Sequence, residues 1–321
     1  MNRHVVVAGL GVAGFASADG LLDVGARVTV LDEADTPELR DKARVLETLG
    51  ATVCLGPGSA DELPAGAQVL VASPSWTPGA PVFAQATARG VPIWSDLDAA
   101  WQVAQERTAQ AAWVLLAGPD AASAGRALAS ILAEAALSAA LVGRSRPVME
   151  AVLDEVAYDV LVVEASAAQL HWTGTVSPHA AAIVGPVSGA DLGRVYHGVR
   201  QACVYDVATP AAEQLVADAD VVEGARAIGF TAGVPAPSMV GVVDGLIVDR
   251  AFIAQRRDSA MELAQVAGIP EADLPAALAA AALARSLGVR PQAVRAGLRT
   301  RHAADLPGLA GRAGDDDHMP G

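Results

Sequence analysis

The sequence predicts an α/β protein of two domains, each a mostly parallel sheet with helices on both faces. Three observations predict it. Short β-branched runs alternate with Ala- and Leu-rich stretches of helical length, the rhythm of βαβ units. A glycine-rich turn, Gly9-Leu10-Gly11-Val12-Ala13-Gly14, stands between the first such run and the first helical stretch. The chain's 321 residues also exceed what one hydrophobic core usually organises, since cores stop growing at roughly 250–300 residues.

In chain order, residues 4–8 read as a strand, 13–24 as a helix, 27–31 as a strand and 42–49 as a helix, with further strands at 52–55, 69–72 and 91–94. Residues 100–110 are polar and Ala-rich, and a strand at 113–117 opens a second βαβ series. The boundary is therefore expected near Thr108, giving domains 1–108 and 109–300. The second series continues with strands at 139–142, 160–163, 180–184, 202–205 and 227–230. Asp244-Gly245 joins two runs, 238–243 and 246–249, and reads as a hairpin because Asp-Gly tolerates the positive φ of a type I′ turn. Helices at 274–287 and 291–300 close the fold. From residue 301 the chain is rich in Gly, Asp and Pro without periodicity and reads as a disordered tail, 301–321.

Composition narrows the function. The net charge of −14 repels phosphate backbones, and no Lys/Arg-rich run offsets it, so nucleic acid is not an expected partner. No apolar run approaches the about 20 residues of a membrane span. The first residues pass directly into a strand, without the parts of a secretory signal, which implies a cytoplasmic protein. Cys54 and Cys203 lie far apart with no metal-ligand spacing and read as small core residues.

With so acidic a surface, an anionic ligand needs backbone amides and helix N-termini. The turn at Gly9–Gly14 offers them, and Asp32 ends the second strand. Glycines at this spacing allow close backbone approach to a phosphate, and an acidic residue at that distance can accept from a ribose or base. On these residues alone the turn fits a nicotinamide dinucleotide, another nucleotide, or a purely structural turn.

GLGVAGF, VLDEADTPEL, LVASPSWTPGAPV and GVPIWSDLDAAW resemble, in order and spacing, the Rossmann-like N-terminal domain of MurD-type Mur ligases. That family adds D-glutamate to UDP-N-acetylmuramoyl-L-alanine at the expense of ATP. The resemblance implies that Gly9, Leu10, Gly11, Val12, Ala13 and Gly14 surround the diphosphate of a UDP-sugar. It also places Asp32 near the uracil, with Ser73 and Pro74 in a loop beside the nucleotide. Two positions depart: Ala13 stands where the family has a hydroxyl, and Ser75 where it has the glycine of SPG.

The resemblance continues to about Arg299 and implies a central P-loop domain. WVLLAGPDAASAGRALASIL falls where the family carries TGTNGK[ST]T. Gly118 and Ser123 match, but Ala122 stands in place of the phosphate-binding lysine, Ala121 in place of the second glycine, and Pro119 removes an amide. Glu164 and Ser166 match the family's E[LV]SSFQL, whose glutamate helps hold magnesium, but two of its other residues are alanines here. The metal-binding histidine and carbamylated lysine have no counterpart between 183 and 194. The adenine-side HNxxN corresponds to Ala272-Asp273-Leu274-Pro275-Ala276.

His171, His179 and His197 sit singly in the sequence, without a neighbouring carboxylate, and read as structural. By the resemblance the family's third domain would begin after Arg299, and it is expected to be missing here.

The expected function is thus that of a MurD-like pseudoenzyme of peptidoglycan precursor metabolism. It would bind a UDP-N-acetylmuramoyl-type nucleotide sugar or a protein partner, with no residue assigned a catalytic role. ATP and magnesium are implied only by the family, with Gly118, Ala122 and Ser123 a vestigial phosphate loop and Glu164 a vestigial metal ligand. The alternatives are an active D-glutamate ligase completed by a partner subunit and, below it, an NAD(P)-dependent oxidoreductase.

Overall fold

The structure, a computed structural model, describes residues 3–107, 110–144 and 146–304. The first half forms β1 (His4–Ala8), α1 (Val12–Asp23), β2 (Arg27–Asp32), α2 (Pro37–Thr48), β3 (Thr52–Leu55), β4 (Val69–Ala72), α3 (Pro81–Ala88), β5 (Ile93–Ser95) and α4 (Asp96–Gln105). The five strands pair in parallel in the order β3-β2-β1-β4-β5. The strand order reverses between β1 and β4, the place where open α/β sheets bind ligands beyond the strands' carboxyl ends. The glycine turn follows one of these strands and the Ser73 loop the other.

The second half runs β6 (Ala112–Ala117), α5 (Ala121–Glu134), β7 (Ala139–Val142), α6 (Val148–Leu153), β8 (Val160–Glu164), α7 (Ala167–Trp172), β9 (Ala180–Ile183) and β10 (Ala202–Asp206). It continues with α8 (Pro210–Ala217), β11 (Arg226–Phe230), β12 (Met239–Val243), β13 (Leu246–Asp249), β14 (Met261–Gln265), α9 (Leu274–Ser286) and α10 (Pro291–Ala304). Its nine-stranded sheet has the order β14-β13-β12-β11-β10-β9-β6-β8-β7. Seven strands are parallel, and β13 and β14 close one edge antiparallel.

Side-chain alternation explains how the layers stack. Val5 and Val7 face the same core as Trp113 and Leu115, whereas Val6 and Ala8 face a separate core with Leu70 and Phe83. Val114 and Leu116 face a third, with Leu128 and the Ala276–Ala284 stretch. Both faces of both sheets are thus buried, as parallel sheets require, and one core is shared between them. In α9, every residue from Ala276 to Ala284 is buried; its small side chains let it lie between sheet and neighbouring helices. Gly297 of α10 leaves no room for a Cβ against the Ile131 backbone of α5, and Ser130 Oγ donates to the Gly297 carbonyl at 2.8 Å.

Several expectations are adjusted. The helix expected at 42–49 begins at Pro37, because Thr36 caps it by accepting from the Leu39 amide and Pro37 is preorganised for the first turn. Residues 100–105 of the polar Ala-rich segment form the second half of α4, and β14 carried no strand signal in the sequence. The Asp244-Gly245 hairpin is present, with φ of 48° and 75° at its two turn residues. Helix α10 extends four residues past 300 to Ala304, into the segment read as a tail. Residues 305–321, like the expected boundary at Thr108, lie outside the described residues. Cys203 is buried as expected, but Cys54 is exposed, since β3 is an edge strand.

Candidate functional site

The turn after β1 is held from within. Gly9, at φ 104°, donates to the Leu31 carbonyl at 2.7 Å. The Leu10 amide donates to Asp32 Oδ2 at 2.7 Å, and the Ala34 amide to Asp32 Oδ1 at 2.9 Å. Gly14 packs so closely on the Gly9 carbonyl that a Cβ would collide with it, which brings the start of α1 down onto the strand end. Trp76, from the loop after β4, lies against Gly9, and Ser73 donates its amide to the Ala8 carbonyl at 3.0 Å. Val12 and Ala13 therefore open α1 with first-turn amides that helix geometry leaves without intrahelical partners.

The turn after β6 is held differently. Gly118, at φ 96°, packs against the Val184 carbonyl. The Asp120 amide donates to that same carbonyl at 3.2 Å, and the Asp120 side chain lies against Gly185. Ser123, in the first turn of α5, donates from Oγ to Asp273 Oδ1 at 3.3 Å. Glu164, at the end of β8, is buried and packs near Gly125.

The two turns meet across a cleft of about 470 Å³ between the sheets, lined by Val12, Ala13 and Pro74 from one side and Gly118, Glu164 and Ser166 from the other. Asp96, Arg144, Arg146 and Gln169 complete its walls. Gln169 Nε2 donates to Asp96 Oδ2 at 2.9 Å, linking α7 to α4 across the domain joint. Asp96 Oδ1 is buried with no hydrogen-bond partner. Burial pushes the Asp96 carboxyl up from its ordinary 3.8 to about 6, against the stabilising bonds from Gln169 and from the Asp96 and Leu97 backbone amides and with a smaller push from the Asp98 charge. Arg146 is held by Asp154 at 2.9 Å and Glu150 at 3.4 Å.

The family model described as "Mur ligase MurD-like, N-terminal domain" matches residues 3–95. Across 96% of its length the chain is 44% identical to a protein of Streptomyces coelicolor named UDP-N-acetylmuramoylalanine--D-glutamate ligase, covering 71% of that protein. It is 40% identical to the protein of the same name from Thermobifida fusca, over 93% of this chain and 67% of that one. The chain belongs to the MurD-like Mur ligase family. Its fold is shared with the UDP-N-acetylmuramate:L-alanyl-gamma-D-glutamyl-meso-diaminopimelate ligase of Neisseria meningitides. That likeness has a TM-score of 0.52 and 17% identity, over 93% of this chain and 98% of that one. A murein peptide ligase from Psychrobacter arcticus gives a TM-score of 0.51 at 14% identity, over 94% and 68%.

Within this Mur ligase scaffold, the structure brings Val12, Ala13, Pro74, Gly118 and Glu164 to one cleft. Leu10 is fully buried, so only its backbone can serve, and that amide is engaged by Asp32. Each carboxylate oxygen of Asp32 accepts one backbone amide of its own turn. Ser73 is buried under the loop that carries Pro74, and Ala122 stands beside Ser123 in the first turn of α5. Asp96, Arg144, Arg146 and Gln169 were not singled out. The signal that could have found Gln169 is the capping box Ser166-x-x-Gln169, and a second box, Ser95-x-x-Asp98, flags the helix start that carries Asp96; both are formed here.

The three histidines are not isolated. His179 Nε2 bonds to the Ser286 carbonyl at 2.9 Å. Folding brings Asp191 to 3.1 Å from His171 and Asp220 to 3.8 Å from His197, carboxylates 20 and 23 residues away in sequence. Among the described residues, no group of three or more His, Cys, Asp or Glu is placed to hold a metal ion, and no helix is long and apolar enough to cross a membrane.

Proposed function

We propose that this MurD-like protein binds a UDP-N-acetylmuramoyl-type nucleotide sugar in the cleft between its sheets and does not itself transfer phosphate from ATP. In this reading the first-turn amides of α1 at Val12 and Ala13 receive the diphosphate, and Gly9, Gly11 and Gly14 give the backbone its close approach. In this reading a nucleotide-sugar domain, 1–108, precedes a central domain, 109–300.

The observation that carries the reading is the state of the loop after β6. A working phosphate loop needs successive free amides, a lysine and a metal-holding hydroxyl. Here Ala122 brings no charge, the Asp120 amide is spent on Val184, and Ser123 Oγ is drawn to Asp273. Losing one preorganised electrostatic donor commonly lowers a rate about 10²–10³-fold, and several are absent together. These residues do not fit magnesium-ATP, and no step is assigned to it.

A second reading is favoured by the comparisons. The relatives at 44% and 40% identity are named ligases, so an active D-glutamate ligase, acting alone or completed by a partner subunit, is the competing account. Calorimetric titration of the purified chain with UDP-N-acetylmuramoyl-L-alanine, and separately with magnesium-ATP, decides between them. Binding of the nucleotide sugar without ATP supports the first reading. Tight magnesium-ATP binding, or D-glutamate addition by the chain alone, overturns it.

A further inference from the structure

Three buried side-chain atoms among the described residues lack a hydrogen-bond partner: Ser17 Oγ, Ser59 Oγ and Asp96 Oδ1. Of these residues, Asp96 lines the cleft. Its other oxygen is held by Gln169 Nε2, which fixes the carboxylate's orientation. A buried acceptor left unpaired costs free energy that a hydrogen-bonding ligand would return. The cations of the same cleft do not supply the partner: Arg146 is committed to Asp154 and Glu150, and Arg144 is exposed.

We propose that Asp96 is a specificity-determining residue of this cleft, its Oδ1 accepting a hydrogen bond from an amide N–H or hydroxyl of the sugar–peptide portion of the bound nucleotide. The inference rests on the nucleotide-sugar reading above. Val12 and Ala13 lie on the same cleft as Asp96, so a ligand whose diphosphate is received at α1 extends its remaining groups past this carboxylate. The cleft thus combines amides that suit a diphosphate with buried carboxylates, Asp96 and Glu164, that suit donors. A phosphate set beside Asp96 would meet a like charge instead. An N-acylated, peptidyl sugar supplies several N–H and O–H groups, whereas the bare nucleoside diphosphate carries none beyond its ribose and base.

The test is calorimetric titration of the full chain and of Asp96→Asn with two probes, UDP and UDP-N-acetylmuramoyl-L-alanine. In Asp96→Asn the side-chain carbonyl keeps Gln169 and the NH₂ faces the ligand, a donor set against a donor. UDP is expected to bind both proteins equally. UDP-N-acetylmuramoyl-L-alanine is expected to bind the variant about 10- to 100-fold more weakly, the loss of one hydrogen bond to a charged group. Asp96→Ala should show the same split between probes. Equal weakening of both probes would assign Asp96 a purely structural role, and unchanged binding of both would show that nothing bonds to it; either result overturns the proposal. If UDP fails to bind the unsubstituted chain, the nucleotide reading itself falls, a failure distinguishable from these.

Discussion

Asp98 Oδ1 accepts from the Thr175 amide at 2.6 Å and from the Thr175 hydroxyl at 2.7 Å, tying α4 of the first sheet to the loop after α7 of the second. The same carboxylate accepts the Gly174 amide at 3.2 Å and the Ser95 amide and hydroxyl at 2.9 and 3.0 Å, and Ser95 Oγ lies 2.9 Å from Thr173 Oγ1. One fully buried acid thus caps a helix and closes the domain joint behind the cleft.

Removing that acceptor leaves the buried Ser95 amide and hydroxyl without it and cuts the tie to the exposed Gly174 and Thr175. Asp98→Ala is expected to destabilise the protein by roughly 3 kcal/mol or more, measured by urea unfolding. It should also separate the transitions of the two sheets as monitored by different tryptophans. A change below about 1 kcal/mol would mean that the joint is held by apolar packing alone.

Asp96 makes the joint pH-sensitive in a predictable direction. Its folded-state carboxyl titrates at about 6 against an ordinary 3.8, so the folded protein holds a proton that the unfolded chain releases. Stability from this group is therefore full below about pH 4 and is lost as pH rises through about 6. Asp96→Asn should remove that slope and raise stability at pH 7 by roughly 2–3 kcal/mol, the free-energy equivalent of about two pKa units. Thermal unfolding of both proteins between pH 4 and 8 checks it; parallel curves would count against it.

Gly14→Ala tests the close approach at the first turn. The new Cβ meets the Gly9 carbonyl, backbone that cannot swing aside. A cost of about 1–3 kcal/mol is expected for such overpacking, with loss of UDP binding in a chain that still unfolds cooperatively. Retained affinity would show that α1 does not need this seat to receive a ligand.

Ala122→Lys tests how deeply the loop after β6 has diverged. A single lysine is expected to leave magnesium-ATP unbound and ADP release at background, because the Asp120 amide and the Ser123 hydroxyl remain engaged with Val184 and Asp273. If this one substitution brought measurable ATP turnover, the other departures would be secondary.

Much of the fold was legible in the sequence because period-2 and helical patterns are local. Strands such as 52–55, 69–72 and 139–142 coincide with β3, β4 and β7, and Asp244-Gly245 forms its expected turn. The start of α2 was missed because a Thr-Pro cap outweighs the polar composition that follows it. The exposure of Cys54 was missed because nothing in its own run tells that β3 is the sheet's edge.

The sequence by itself determined the family framework, the glycine turn that seats α1, and the residue types on which a phosphate loop depends, since each follows from which side chain stands at a given spacing. The tertiary structure alone decided which of these groups share a cleft and which are already spent. That Asp32 serves the backbone of its own turn, that Ser123 meets Asp273 from 150 residues away, and that Asp96 is left with an unpaired oxygen are outcomes of packing two sheets together. Burial and hydrogen-bond satisfaction are properties of neighbours in space, and no local pattern encodes them.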